Sequence, residues 1–386
     1  MNNLVNYPVM AVDDIIRPTQ LQIDLRILKE NYLKIKSHVF PSKVMPILKA
    51  NAYGHGLVRV GQLMEELKAD YVGVAVLEEG ILLRESGVTI PILVLGGIWG
   101  NQIPVYIKYN LAMTASSIEK IKQIDEISEG LKKKAKVHLK IDTGMERIGV
   151  HYYSADKLLE ESLKYKNILV EGIYTHLANS ENSDLSYTRL QLDRFNEVLQ
   201  FYDRHSIEPP IRHISNSGAI CQMPEANFDM VRPGIMLYGV YPFNEMSEIF
   251  KPIEVLPALQ WKSLVVYFKV IKPNHPVGYG SKWQSDHDVR AVTVPVGYGD
   301  GYLRSMSSSA EVIIRNKKYP VVGSISMDQL VVNIEQDSAY NGDEVILIGK
   351  SDSVEIKVED LATWAGTIPY EILTNINTRV PRIYIG

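Results

Sequence analysis

Cysteine is almost missing from this chain: Cys221 is the one thiol in 386 residues. A single cysteine excludes an intrachain disulfide and a thiolate metal cluster. Neither H-E-x-x-H nor C-x-x-C occurs, so a protease-type or structural zinc site has no support, and no metal is expected. The first residues carry Asp13 and Asp14 and no basic residue before Arg17, which is not the layout of a secretory leader. The apolar run Val88–Gly100 is too short to cross a bilayer. No N-x-Ser/Thr acceptor is present. Charge of one sign is also lacking. Lysine and arginine number 41 against 45 acidic residues, a net of −4 that gives no bulk attraction to nucleic acid or anionic lipid. These absences make a cytoplasmic enzyme the default expectation, without a nucleic-acid or membrane partner.

What is present is ordinary for a globular chain: 46% hydrophobic and 22% charged residues, with length enough for two domains. Between Val44 and Gly239, eight short apolar runs read as strands: Val44–Leu48, Tyr71–Val76, Ile90–Leu95, Leu111–Thr114, Lys136–Ile141, Leu169–Thr175, Ile211–Ile214 and Met230–Leu237. Amphipathic stretches lie between them, among them Leu57–Leu67, Glu78–Glu85, Ile118–Ile127, Ala155–Lys164 and Tyr187–Tyr202. That alternation predicts an α/β fold, a TIM-type (β/α)8 barrel over residues 20–250, after an amino-terminal segment 1–19. After Pro242 the rhythm changes. Trp261–Val270, Val289–Pro295, Glu311–Arg315, Tyr319–Val322, Gln329–Ile334 and Glu344–Ile348 read as strands, with one helix at Val358–Ala365, predicting a mostly β domain over 251–386. Gly342 to Gly349-Lys350-Ser351 has the wrong glycine spacing for a P-loop and reads as a strand between turns.

In such a barrel, chemistry sits at the carboxyl ends of the strands. The first run ends in Lys49, followed by a turn with Asn51, Gly54 and Gly56. A lysine there costs free energy unless solvated, paired or reactive. With Tyr53 nearby, it suits a Schiff base with a phosphorylated aldehyde cofactor. The fifth run ends in Lys140-Ile-Asp-Thr-Gly-Met-Glu-Arg147, where Arg147 can clamp an anionic oxygen and Lys140 poses a charge problem. Tyr174 and His176 alternate on the sixth run and point the same way. Ser215-Asn216-Ser217-Gly218 joins a hydroxyl to a helix start, an anion site, and Arg232-Pro-Gly234 follows on the eighth run.

These residues, with Val277-Gly-Tyr279-Gly, Gly297-Tyr298-Gly-Asp-Gly, Ser326-Met327-Asp-Gln, Tyr370-Glu-Ile and Arg379-Val-Pro-Arg, occur in an order that resembles the alanine racemases of the fold-type III pyridoxal-phosphate enzymes. The resemblance runs from about residue 20 to the end. It implies a racemase of L- and D-alanine that supplies D-alanine for peptidoglycan, with pyridoxal 5′-phosphate as cofactor and a small amino acid as substrate. Lys49 would hold the cofactor and act as one base. Tyr279, lent by the other subunit of a homodimer with shared sites, would be the other. His176 would hydrogen-bond Tyr279, and Arg232 would extend that relay and meet the pyridine nitrogen. Tyr53, Ser217, Gly234, Ile235 and Tyr370 would hold the phosphate. Arg147 and the Met327 amide would meet the substrate carboxylate, while Tyr298 and Tyr370 would narrow the entrance. Lys140 matches a lysine carbamylated in many members. Two departures stand out: Ser326 where many relatives have cysteine, and Ala178-Asn-Ser-Glu-Asn182 after the histidine.

Two bases suit racemisation, since one base crossing between faces would be slow. The alternatives are a racemase of serine or another amino acid on the same scaffold, a decarboxylase of related architecture, and a cofactor-binding protein without catalysis. The decarboxylase lacks its hallmark cysteine and acidic pyridine partner here, and the β domain with Tyr279 argues against the last.

Overall fold

A computed structural model describes residues 17–242 and 252–386. The chain forms two compact units, residues 27–256 and residues 17–26 with 257–386.

In the first unit all eight expected runs become parallel barrel strands: Lys43–Val44, Val72–Val74, Ile92–Val94, Ala112–Ala115, Ala135–Asp142, Ile168–Tyr174, Ile211–His213 and Met230–Val231. The ladder from Val72 to His213 is continuous. The Ile47–Gly73 bridge joins its first edge to Lys43–Val44, which pairs with Met230–Val231, and backbone bonds from Asp229 to Arg212 and from Arg232 to Ser215 complete the circle. The strands Val72–Val74, Ile92–Val94 and Ala112–Ala115 are buried at every position, as parallel strands covered on both faces require. The eighth run differs from expectation. It yields only two strand residues, because Pro233 cannot donate to a ladder, and Ile235–Tyr238 is a short 3-10 turn.

The expected helices appear as Leu57–Glu66, Leu77–Glu85, Ile118–Leu131, Ala155–Ser162 and Ser186–Arg204, joined by Leu25–His38 and Ile103–Lys108. Ser117 starts Ile118–Leu131 by accepting the Lys120 amide at 3.1 Å. None of the described helices is long and apolar enough to cross a membrane.

The second unit is a ten-stranded sheet. Its path runs Tyr267–Ile271, Val289–Val294, Leu330–Glu335, Lys317–Val322, Glu311–Ile314, Glu344–Ser351, Leu259–Leu264, Gln20–Asp24 and Arg382–Ile385, and the tenth strand, Val354–Ile356, pairs with Glu344–Ser351 off that path. The single run expected at Trp261–Val270 is two strands, broken at Val265 and Val266. Gln20–Asp24, placed by sequence at the start of the barrel, instead pairs antiparallel with Leu259–Leu264 and parallel with Arg382–Ile385. Its alternating Leu21 and Ile23 are fully buried there.

Candidate active site

Lys49 follows the first barrel strand and the Ile47–Gly73 bridge and opens an unusual turn. Ala50, Asn51, Ala52 and Tyr53 are all left-handed, with φ between 50° and 56°. Protein packed around the Lys49 amine lowers its pKa, Arg147 lowers it further, Glu79 opposes, and Arg232 adds to the fall. A lysine so placed holds more free amine near neutrality than a solvated one.

Arg232 is the best-held group of the barrel mouth. Nη1 donates to the His213 carbonyl at 2.6 Å and to His213 Nδ1 at 2.9 Å. Nη2 donates to the carbonyls of Thr175 at 2.8 Å and Ile214 at 3.1 Å, and to His176 Nδ1 at 3.4 Å. These acceptors are all neutral, and burial lowers the arginine to about 10. Arginine has no acceptor, so both histidines take its protons on Nδ1 and carry their own on Nε2. His176 Nε2–H is thereby left to donate elsewhere. Burial, then Arg232, Lys140, Arg147 and Lys49, keep His176 neutral by driving its pKa well below the usual range.

The same logic runs through the barrel. His213 Nε2–H donates to His138 Nδ1 at 2.9 Å, and His138 Nε2 faces Glu171 at 4.0 Å. Burial, with Arg232 adding, pushes His138 down to about 3 and His213 well below the usual range. His213 was not singled out by sequence and His138 received no role there. Their one signal was polarity inside otherwise apolar runs.

Lys140 is buried on the fifth strand with Nζ 4.3 Å from the Tyr174 ring centre. Desolvation and Arg232 drive its pKa well below that of a free lysine, with Asp142 opposing and Arg147 adding. Asp142 folds the next turn by accepting the amides of Gly144, Met145, Glu146 and Arg147 at 2.8–3.2 Å, which fixes the backbone beneath Arg147.

Tyr53, Ser217, Gly234 and Ile235 meet in a cradle. Ser217 Oγ accepts the amides of Gly234 at 2.9 Å and Met236 at 3.4 Å. A side chain on Gly234 would approach the Tyr53 hydroxyl to 2.7 Å and Ser217 Oγ to 3.7 Å, so only glycine keeps the space open. Hydroxyls beside buried amides are what a phosphate needs. The departing segment Ala178–Asn182 packs alongside, with Ser180 Oγ donating to Asn216 Oδ1 at 2.6 Å.

The β unit holds the remaining candidates. Tyr279 is 74% exposed, on a turn set by Gly278 and Gly280 at φ of 70° and 76°. Its carbonyl accepts from Ser324 Oγ at 2.9 Å. Tyr298 and Met327 are also exposed. Their loops are tied by backbone bonds from Tyr298 to Ser326 at 3.1 Å and from Gly299 to Met327 at 2.9 Å. A side chain on Gly297 would come within 2.2 Å of the Ser326 carbonyl, so the two loops touch only because Gly297 is there. Beneath them Asp300 is buried and takes Arg17 at 2.7 Å and Arg379 at 2.6 Å, while Arg379 also reaches Asp328 at 2.7 Å. Ser326 Oγ closes its turn onto Gln329 with bonds of 2.6 and 3.0 Å. Tyr370 lies on the helix Pro369–Asn375.

Residues 23–242 match the family model described as alanine racemase, N-terminal domain, and residues 258–384 match alanine racemase, C-terminal domain. The chain is 41% identical to the alanine racemase of Carboxydothermus hydrogenoformans, covering 96% of this chain and all of that one. With the alanine racemase of Methanococcus maripaludis it shares 38% identity, over 95% and 99% of the two chains. Among solved structures, alanine racemase of Clostridium difficile 630 superposes with a TM-score of 0.90 at 38% identity, covering 96% and 97%. That of Bacillus anthracis, with bound L-Ala-P, gives 0.90 at 32% and 96% of each chain. The chain therefore belongs to the alanine racemase family.

Proposed function

We propose that this protein interconverts L- and D-alanine with pyridoxal 5′-phosphate and two bases, works in the cytoplasm as a homodimer, and supplies D-alanine for peptidoglycan. The carrying observation is that Lys49, Arg147, His176, Arg232 and the Tyr53–Ser217–Gly234 cradle all gather at one barrel mouth.

The residues fit the cofactor. The cradle suits its phosphate, with Ile235 and Tyr370 as further holders, and the Lys49 amine suits its aldehyde. Arg232 suits its ring nitrogen. When bound, the cofactor delocalises the electron pair left at the substrate α-carbon. Arg232 gives up its proton reluctantly even at about 10, so it would offer the ring nitrogen a hydrogen bond rather than a proton.

Lys49 moves the α-proton on one face. Tyr279, supplied by a second copy of the chain, moves it on the other. Its exposure in a single chain suits a group that functions only when covered. His176 presents Nε2–H to the Tyr279 oxygen and stabilises it as phenolate, because Arg232 occupies Nδ1. Arg147 and the Met327 amide hold the substrate carboxylate, and Tyr298 with Tyr370 limits side-chain size.

Lys140 fits carbamylation. Its neutral amine adds to carbon dioxide and releases one proton, which places a carbamate anion where Arg232 and Arg147 otherwise face an uncharged group. That anion orients Arg147.

The test is to load the purified protein with pyridoxal 5′-phosphate and follow D-isomer formation from L-alanine and from L-serine. D-alanine formed in preference to D-serine is the expected outcome. Borohydride reduction should tag Lys49 in the peptide map. A tag elsewhere, or none, refutes the assignment.

A further inference from the structure

The left-handed turn after Lys49 contains no glycine until Gly54, yet Ala50, Asn51, Ala52 and Tyr53 all sit where L side chains crowd the backbone. Such a turn persists only if its surroundings hold it. Its far end is well held. Asn51 accepts the Gly56 amide on its carbonyl at 2.9 Å and the Leu57 amide on Oδ1 at 2.8 Å, and Tyr53 packs 5.0 Å from Tyr238, ring centre to ring centre. Its near end, next to Lys49, is held by Glu79. Glu79 Oε1 accepts the Ala50 amide at 2.6 Å, while Oε2 accepts the amides of Ala75 at 2.8 Å and Val76 at 3.4 Å. The carboxylate stands in the first turn of the helix Leu77–Glu85, where negative charge is favoured. One side chain thus ties the lysine turn to the end of the neighbouring barrel strand through charge-assisted bonds.

We propose that Glu79 is a positioning residue: it locks the left-handed turn that follows Lys49 and brings a carboxylate to that turn. Its influence on Lys49 opposes both arginines. A lysine between two arginines and without this charge would be further depleted of protons, and its turn would lose the anchor nearest the amine.

The inference rests on the proposed role of Lys49, and its test separates the two. Lys49 in the full chain is titrated with an amine-reactive reagent across pH, read by peptide mass spectrometry, before and after loading with pyridoxal 5′-phosphate. Glu79→Gln removes the charge and keeps one acceptor, so the Lys49 midpoint should fall by about half a pH unit or more. In the loaded enzyme kcat should drop roughly tenfold with KM within about twofold, the mark of misplacement rather than lost binding. Glu79→Asp, which keeps the charge, should recover part of both. Glu79→Ala should do worse than Glu79→Gln. A midpoint unmoved in both Glu79→Gln and Glu79→Ala overturns the proposal, as does a loss of melting temperature with kcat unchanged in the folded fraction. If the cofactor fails to protect Lys49 in the unsubstituted chain, the proposed function falls, and the reagent titration still judges Glu79.

Discussion

The barrel and the β unit carry their candidate residues in opposite ways. Arg232 and Lys140 are nearly inaccessible, and Arg232 is fixed by five hydrogen bonds. Tyr279, Tyr298 and Met327 project outward from loops held by backbone bonds and tuned glycines. Buried polar groups must be satisfied at once in folding, so their geometry is over-determined. Exposed phenols and amides are positioned by whatever lies beneath their loops. The contrast teaches that one unit fixes its polar candidates by burial and hydrogen bonds, whereas the other presents its candidates on exposed loops.

Substitutions should expose that contrast. Lys49→Ala removes the proposed covalent anchor and one proposed base together, and racemisation should fall by about 10³-fold or more, with no borohydride tag. Tyr279→Phe should cost roughly 10²-fold, unequally: exchange of the α-proton of L-alanine should suffer more than that of D-alanine. Because the phenol is exposed, stability should change by less than about 0.5 kcal/mol. Equal losses for both enantiomers would undo the two-base assignment.

Asp300→Asn strikes the support under the exposed loops. Arg17 and Arg379 lose their shared buried anion, and unfolding by denaturant should show a loss of about 2–4 kcal/mol. Although burial raises the Asp300 pKa, its hydrogen bonds to Arg17, Arg379 and the Gly297 amide hold it below the usual carboxylate range. A depressed carboxylate contributes stability above its unfolded pKa near ~3.9 and loses it as pH falls toward the lower folded value. The Asn variant should therefore show a flatter acid limb. Ser326→Cys is the mildest change. It weakens two bonds that close the Ser326–Gln329 turn, for about 1 kcal/mol, and the ratio of serine to alanine turnover reads whether that turn influences side-chain size.

Much of this was legible in the sequence. Eight mostly apolar runs became eight barrel strands because parallel strands covered on both faces favour aliphatic stretches, and the candidate residues lie at or just beyond their carboxyl ends. Other features carried no such mark. Gln20–Asp24 alternates correctly but is five residues long, and its partners lie more than 230 positions away, so nothing local assigns it to the β unit. Met230–Leu237 reads as a single strand, yet Pro233 ends its ladder. Alanine and tyrosine give no hint of a left-handed turn, since Ala50, Ala52 and Tyr53 ordinarily avoid that region. The tautomers of His176 and His213 follow from what Arg232 donates to, and spacing along the chain cannot reveal that.

The parallel pairing of Gln20–Asp24 with Arg382–Ile385 makes the barrel an insertion within the β unit's own sequence. During synthesis the barrel strands are all made by Val231, whereas the sheet waits for its final four-residue strand before its first one has both neighbours. Among the described strands, Gln20–Asp24 is thus left half-paired longest. A nascent chain would then carry all its barrel strands while the sheet still lacks Arg382–Ile385, an open edge of the kind that invites association between copies.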